Sequence, residues 1–559
     1  MDEYTLEGPG TPSSEEGRAS DQHARLGERL RRSQRRVDEL LHEGSHHGAG
    51  RETAGLAPRA GPCGHGHRSA AEAQLLRLSL GRDGRLGPRG EVPEELVEAA
   101  ITEVTMHEVG HTLGLRHNFR GSTAYSSEQL SDPAFTAVHG MGSSIMDYNP
   151  AAIPSDRSAQ GDYYSVVVGA YDKHAIEYGY SPIEAEGELV GRQPPQLQAI
   201  AARGASRREL AFATDEDGPR SDGADPYTNV YDLGSDPIAF HTDRLALAQS
   251  LLCSAANRTV EPGEPWTRQL SAVSSFMRTA LRAGAYVSKY IGGFVFSKAH
   301  RGDPRAADPV TAVSAAEQAR ALALALQLIS QDFWLPAARL TNRLPKRVGY
   351  CGGVNEYCLG LGSANLLHEA RQIRRLILMQ LVQPSRLAGL QQHEWEAAEA
   401  DADEAAEEAD AADAADAQTP QAGAWLTLPA PVDMGVLLRR GLSVSALFHA
   451  IDATLSLPNV TAASRENPAE AKMRFEVQRV WISLLASFSA DGLSESAAVA
   501  THLLSRLRAA VDASTSERTA ASAPRDRRAA AAAHALEDHL ATLRHQLGLW
   551  SRGLPLALP

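Results

Sequence analysis

Three histidines, a glutamate and a glycine recur at chemically meaningful intervals in TMHEVGHTLGLRHNFRGS, residues 105–122. His107 and His111 are four apart, so on a helix they share one face and their imidazoles can grip one cation, with Glu108 one step round from the first. The segment just upstream, EVPEELVEAAITEVTM, predicts that helix. Pro93 suits a first turn, Glu94 and Glu95 sit where the helix dipole favours acid, and no breaker intervenes before Gly110. Gly114 falls where helices commonly end on a left-handed residue, a conformation cheap only for glycine, and the reversed chain can return His117 as a third ligand. Three neutral nitrogens leave one tetrahedral position on zinc open, the mark of a catalytic rather than a structural site. A water held there has its pKa lowered towards neutrality, and Glu108 is placed to take its proton.

A second element follows in GSSIMDYNP, residues 142–150, where Met146 sits in a turn rich in Ser, Asp, Asn and Pro. HEVGHTLGLRH followed by SIMDY resembles the metzincin clan of zinc endopeptidases, in which a methionine turn forms a hydrophobic floor beneath a three-histidine zinc site. More narrowly, HEVGHTLGLRHNF with SSIMDYNP, YDKHAIEYGY and YDLGSDP is similar to the large zinc-dependent metalloproteases that carry long helical extensions behind the zinc domain. The resemblance implies His107, His111 and His117 as ligands of one Zn2+ per chain, Glu108 as general base and acid, and Met146 as the turn methionine. It also implies Tyr148, two places later, as an oxyanion stabiliser, a task its hydroxyl can perform; a core or rim tyrosine is the alternative. Asn118 and Phe119 match the family motif, with a nearest physical role in fixing the exit of the third-ligand loop, and Ser143, Ser144 and Asp147 read as turn formers. The implied activity is endopeptidase cleavage of a polypeptide substrate.

One departure from the family bears on both fold and function. Metzincins build an upper half from a twisted sheet ahead of the zinc helix, and an edge strand of it holds the substrate. Here only LLRLSL, residues 75–80, alternates like a strand, and one strand cannot make a sheet. The expected fold is therefore mainly α: a metzincin-like zinc core with active-site helix and Met-turn, a poor or missing upper β-sheet, and helical C-terminal domains behind it, as in an N-terminally truncated or divergent form. The competing functional class is a catalytically impaired, zinc-stabilised helical interaction protein that lacks the substrate-binding sheet. Intact Glu108 argues for the enzyme, because a structural site needs no base.

The elements that must position these residues are bounded by composition. A chain of 559 residues with 43% hydrophobic content can support two or three cored domains. Residues 1–90 read as a polar and basic tail, mostly disordered apart from one helical segment in RLGERLRRSQRRVDELL, whose histidine-rich tracts lack preorganised geometry. Residues 91–235 form the zinc core and an acidic loop, and 236–393 a helical domain with IGGFVFSKAH as its strand-like interruption. Residues 394–423 are an acidic, alanine-rich linker or exposed helix, and 424–559 a C-terminal helical region. The loop carboxylates Asp215, Glu216, Asp217, Asp222, Asp225 and Asp232 could attract Ca2+, but no EF-hand spacing supports it; His174 reads as a helix-face residue rather than a fourth ligand.

The net charge of −14 argues against nucleic acid as the main partner, and no apolar run is long enough for a membrane span. The start, MDEYTLEGPG, lacks the basic region and apolar core of a signal peptide, so an extracellular or secretory location is implied only by the resemblance. Cys63, Cys253, Cys351 and Cys358 are too scattered for a disulfide scaffold, with one bridge between the last two or free thiols both open. Asn257 and Asn459 fit glycosylation acceptors that matter only in the secretory pathway, and nothing in the sequence sets an oligomeric state.

Overall fold

A computed structural model describes residues 14–41, 65–87, 90–156, 160–183, 194–218, 223–258, 263, 266–330, 344, 366–407, 441–456, 468–490, 494–518, 527–552, 554 and 556. Cys63, Cys351, Cys358 and Asn459, most of the early histidine tracts, Asp222 and the acidic run beyond Glu407 lie outside them. Described residues are mostly helical. In chain order the helices longer than one turn are α1 (Ser14–Leu41), α2 (His65–Arg82), α3 (Glu94–Thr112), α4 (Ser127–Ser131), α5 (Pro133–His139), α6 (Ala170–Tyr180), α7 (Pro195–Ala202), α8 (Pro237–Arg258) and α9 (Thr267–Val287). After these come α10 (Ala315–Ser330), α11 (Leu366–Leu381), α12 (Pro384–Glu407), α13 (Val444–Thr454), α14 (Pro468–Ser489), α15 (Glu495–Arg518) and α16 (Arg527–Trp550). The only strands among the described residues, β1 (Phe294–Phe296) and β2 (Val310–Ala312), pair antiparallel with Val295 opposite Thr311. β1 falls within the strand-like IGGFVFSKAH. No described helix is long and apolar enough to cross a membrane.

The chain divides into two compact units. One comprises Gln34–Leu426 and Met434–Leu442, the other Met1–Ser33, Thr427–Asp433 and Ser443–Pro559. In the first, α8 and α9 run together, α2 lies against both, and α10 and α11 pack on α9 around Leu247, Leu251, Val273, Leu281, Leu324 and Ile377, all buried. In the second, α13 to α16 enclose Phe448, Trp481, Leu503 and Leu543.

LLRLSL is helical, contrary to its strand-like alternation: it lies in the second half of α2. A short apolar run fits both periods, and burial decides it, since Leu75, Leu76, Ser79 and Leu80 fall at helical intervals on one covered face. α2 also carries Glu72 into the core, where the guanidiniums of Arg244 on α8 and Arg282 on α9 both pair with it. Burial pushes this carboxyl up, and the two arginines outweigh that and hold it below the usual range.

Candidate metal centre

α3 ends in a Schellman motif. The N–H of Leu115 bonds the Gly110 carbonyl at 3.1 Å, that of Gly114 bonds His111 at 3.0 Å, and Gly114 has φ of 84°. The reversal brings His117 back over the helix. Ring centroids of His107 and His111, and of His111 and His117, are each 4.8 Å apart, and the ligand nitrogens of all three lie within 4.8 Å of one another. Among the described residues this is the one cluster of three ligand-bearing side chains placed to share an ion.

Each ring has its second nitrogen tied to an oxygen. Nδ1 of His107 lies 2.7 Å from the Ile145 carbonyl, and Nδ1 of His111 3.0 Å from the Leu115 carbonyl. Nδ1 of His117 is 3.0 Å from both oxygens of Asp215. Carbonyl and carboxylate oxygens only accept, so Nδ1 carries the proton in each ring and Nε2 is the nitrogen able to ligate a metal. This donor set fits zinc, which takes neutral imidazole nitrogens oriented by such outer hydrogen bonds. Burial raises the Asp215 carboxyl, and the His117 hydrogen bond with Arg116 nearby outweighs it, so the group stays below its usual range.

Met146 is fully buried and packs against α3 at Gly110. A Cβ placed on Gly110 would overlap its sulfur, so the glycine in HEVGH lets the turn approach the helix. Helix propensity alone predicts that Gly110→Ala stabilises α3 by up to ~1 kcal/mol. Overpacking predicts the reverse, by about 1–3 kcal/mol. The expected result is a lower unfolding midpoint and faster zinc loss to a chelator; a higher midpoint with unchanged zinc retention would show that Met146 does not need that space.

Asp172, in the first turn of α6, holds the same turn. It accepts from Ser144 Oγ at 2.7 Å and from the backbone N–H groups of Ile145 and Gly169, each at 2.9 Å. Asp147 accepts from the N–H groups of Ser122 and Tyr148 at 2.7 Å each, and burial with neighbouring Asp232 pushes its carboxyl well above the usual range. Asn118 joins the third-ligand loop to the turn through the Met146 carbonyl and to residues Ala211 and Ala213 beyond. Tyr231, left-handed at φ 59°, donates its N–H to the Tyr148 carbonyl at 2.8 Å.

Glu108 is exposed on α3 beside His107. The Tyr148 hydroxyl lies 3.1 Å from Nε2 of His117, and the two rings are 4.9 Å apart at centroid. His174 lies on α6 outside the three-histidine cluster. Beside Asp215, three further acids of the loop are paired with cations: Glu216 with Arg116, Asp217 with Lys298, and Asp225 with Arg120.

Sequence reasoning missed Glu103, one helical turn before His107. Burial raises this carboxyl to about 8, and the N–H of Ser165, 3.0 Å away, offsets only part of that. Between pH 4.5 and about 8 the folded chain keeps a proton that the unfolded chain has released. The stability linked to this proton is full below 4.5 and is lost as pH rises to 8. Glu103→Gln stays neutral and can still accept from Ser165. In zinc-saturated chemical denaturation between pH 6 and 8, the parent should lose stability relative to this variant with a slope approaching ~1.4 kcal/mol per pH unit. Parallel pH profiles would place the Glu103 pKa near its ordinary value.

Two histidines on one helix and a third returned by the loop after it form a three-histidine cluster of the kind that holds zinc. Residues 89–414 match a protein family described as Met-zincin, which is more than half of the chain, and the protein belongs to that family of metzincin-type zinc metalloproteases. No curated protein and no solved structure matches the chain.

Proposed function

We propose that this protein is a zinc-dependent endopeptidase holding one Zn2+ through His107, His111 and His117. The observation that carries the reading is that all three Nδ1 atoms are committed to oxygen acceptors while the opposite nitrogens gather at one locus. Zinc supplies a Lewis acid that polarises a peptide carbonyl and acidifies water. Glu108 takes the proton from the attacking water and returns it to the departing amine. Tyr148 donates its hydroxyl to the carbonyl oxygen as charge develops there, a role supported by its contact with His117. Asp215 keeps the His117 ring oriented, and Asp172 keeps the turn under all three rings. Glu108, exposed beside His107, is open to water and substrate as a general base must be.

The test is metal analysis of the purified full chain. About one zinc per chain is expected. His107→Ala, His111→Ala and His117→Ala combined should reduce this to background, and unchanged zinc in that triple variant would overturn the assignment.

A further inference from the structure

Two adjoining cavities lie against the loop that carries His117. The larger, about 650 Å³, is walled by Leu115, Tyr171, Tyr178, Phe212 and Phe296. Its wall includes a flat aromatic pair, with Tyr171 and Phe212 stacked at 5.3 Å and 3° between planes. The smaller, about 320 Å³, is lined by Arg120, Arg207 and Arg208 with Thr123, Ser206 and Tyr227. The two share Arg120, Gly204, Ala205 and Ala211. Neither is lined by a zinc-site histidine, Glu108, Met146 or Tyr148.

Charge is arranged one way in the smaller cavity. No carboxylate lines it. The acids that pair with two of its arginines, Asp225 with Arg120 and Glu209 with Arg207, stand outside the lining. Arg208 donates to the Ser235 carbonyl at 3.0 Å rather than to an acid. Arginine forks beside hydroxyls are suited to carboxylates, and an aromatic-walled chamber next to them is suited to an apolar side chain. The larger wall also holds a polar atom without a hydrogen-bond partner, Nδ1 of His174.

We propose that the two cavities form one exosite for the peptide substrate, seating an aromatic or long aliphatic side chain in the larger chamber and a neighbouring acidic side chain at the arginines. The inference rests on the endopeptidase reading and names the substrate class: polypeptides with an acidic residue beside a large apolar one, away from the bond that is cut. The wall of the larger chamber is mechanically close to the metal centre. The Leu115 carbonyl holds Nδ1 of His111, Arg116 directly precedes His117, and the Tyr180 hydroxyl binds the Leu113 carbonyl at 3.0 Å. A seated segment therefore presses on the loop that carries these contacts.

The experiment measures binding apart from turnover. The full, zinc-loaded chain with Glu108→Gln is titrated against fluorescein-labelled heptapeptides containing adjacent glutamate and phenylalanine, in both orders, and against the same peptides with glutamine for glutamate or alanine for phenylalanine. Affinity should fall about tenfold for each replacement. Ala175→Trp, which fills the larger chamber, and Arg208→Ala should each abolish that preference, with Arg208→Lys restoring part of it. Circular dichroism and zinc content of the variants should match the parent. Equal affinity for all peptides, or unchanged preference in folded Ala175→Trp and Arg208→Ala chains, overturns the exosite. Tight binding of phenylacetate with no peptide binding overturns it in favour of a small-molecule carboxylate. The two proposals separate cleanly: patterned binding without any hydrolysis by the parent would remove the endopeptidase and overturn the exosite as a substrate site, leaving only a peptide-binding site, whereas hydrolysis with no preference would overturn the exosite and leave the endopeptidase.

Discussion

Glu108→Gln is expected to keep its zinc and lose peptide hydrolysis by at least about 10²–10⁴-fold. The amide is nearly isosteric with the carboxylate, the side chain is exposed, and no histidine depends on it for a hydrogen bond, since His107, His111 and His117 are oriented by Ile145, Leu115 and Asp215. What the amide cannot do is accept a proton from water. The measurement pairs zinc content with single-turnover cleavage of a mixed peptide library, with Val109→Ala, a neighbouring exposed position, as the control. A Glu108→Gln chain as active as the parent would remove Glu108 from the mechanism, and a chain that had lost its zinc would show that the residue acts on the fold instead.

The expectations that held were those carried by local spacing. Helical periodicity puts His107 and His111 on one face whatever surrounds them, and a glycine three residues after the second histidine turns the chain by local backbone preference. The groups that finish the site were not legible, because they arrive from far along the chain. Asp215 is 98 residues from His117 and reads in sequence as one acid among six in a loop. Asp172 is 28 residues from Ser144 and looks like an ordinary acid in a first helical turn, where the dipole alone would explain it. Glu103 looks like a solvated helix-face acid, yet it is buried and accepts from the N–H of Ser165, 62 residues away. Gly110 could have been suspected, since a glycine inside a helix is unfavourable without a close neighbour, but the sequence does not say that the neighbour is Met146. α2 fails differently. Its leucines satisfy both periods, and only packing against α8 and α9 resolves them.

A chain ending at Tyr180 is expected to lose zinc and aggregate, because the residues that lock the site come after that point. Ala213 takes the N–H of Phe119 at 2.7 Å, and its own N–H goes to the Asn118 side chain at 3.1 Å. Asp215 orients His117, Asp232 accepts from Ser122 at 2.9 Å, and Tyr231 caps the Tyr148 carbonyl. Removing them strands buried polar groups at about 1–3 kcal/mol each. It also takes Tyr231 away from the buried Tyr148 ring, 6.2 Å from it at centroid, at roughly 1.5–3 kcal/mol for a buried apolar side chain. Domains of this size sit only about 5–15 kcal/mol from unfolding, so these losses are comparable with the whole margin. A cut near residue 411, inside the acidic and alanine-rich run, should by contrast leave zinc in place. Limited proteolysis followed by zinc analysis of the fragments decides between them. A fragment ending near residue 180 that stays soluble, monomeric and zinc-loaded would mean that the 211–234 segment decorates the metal centre and that the histidines, Met146 and α6 suffice to hold it.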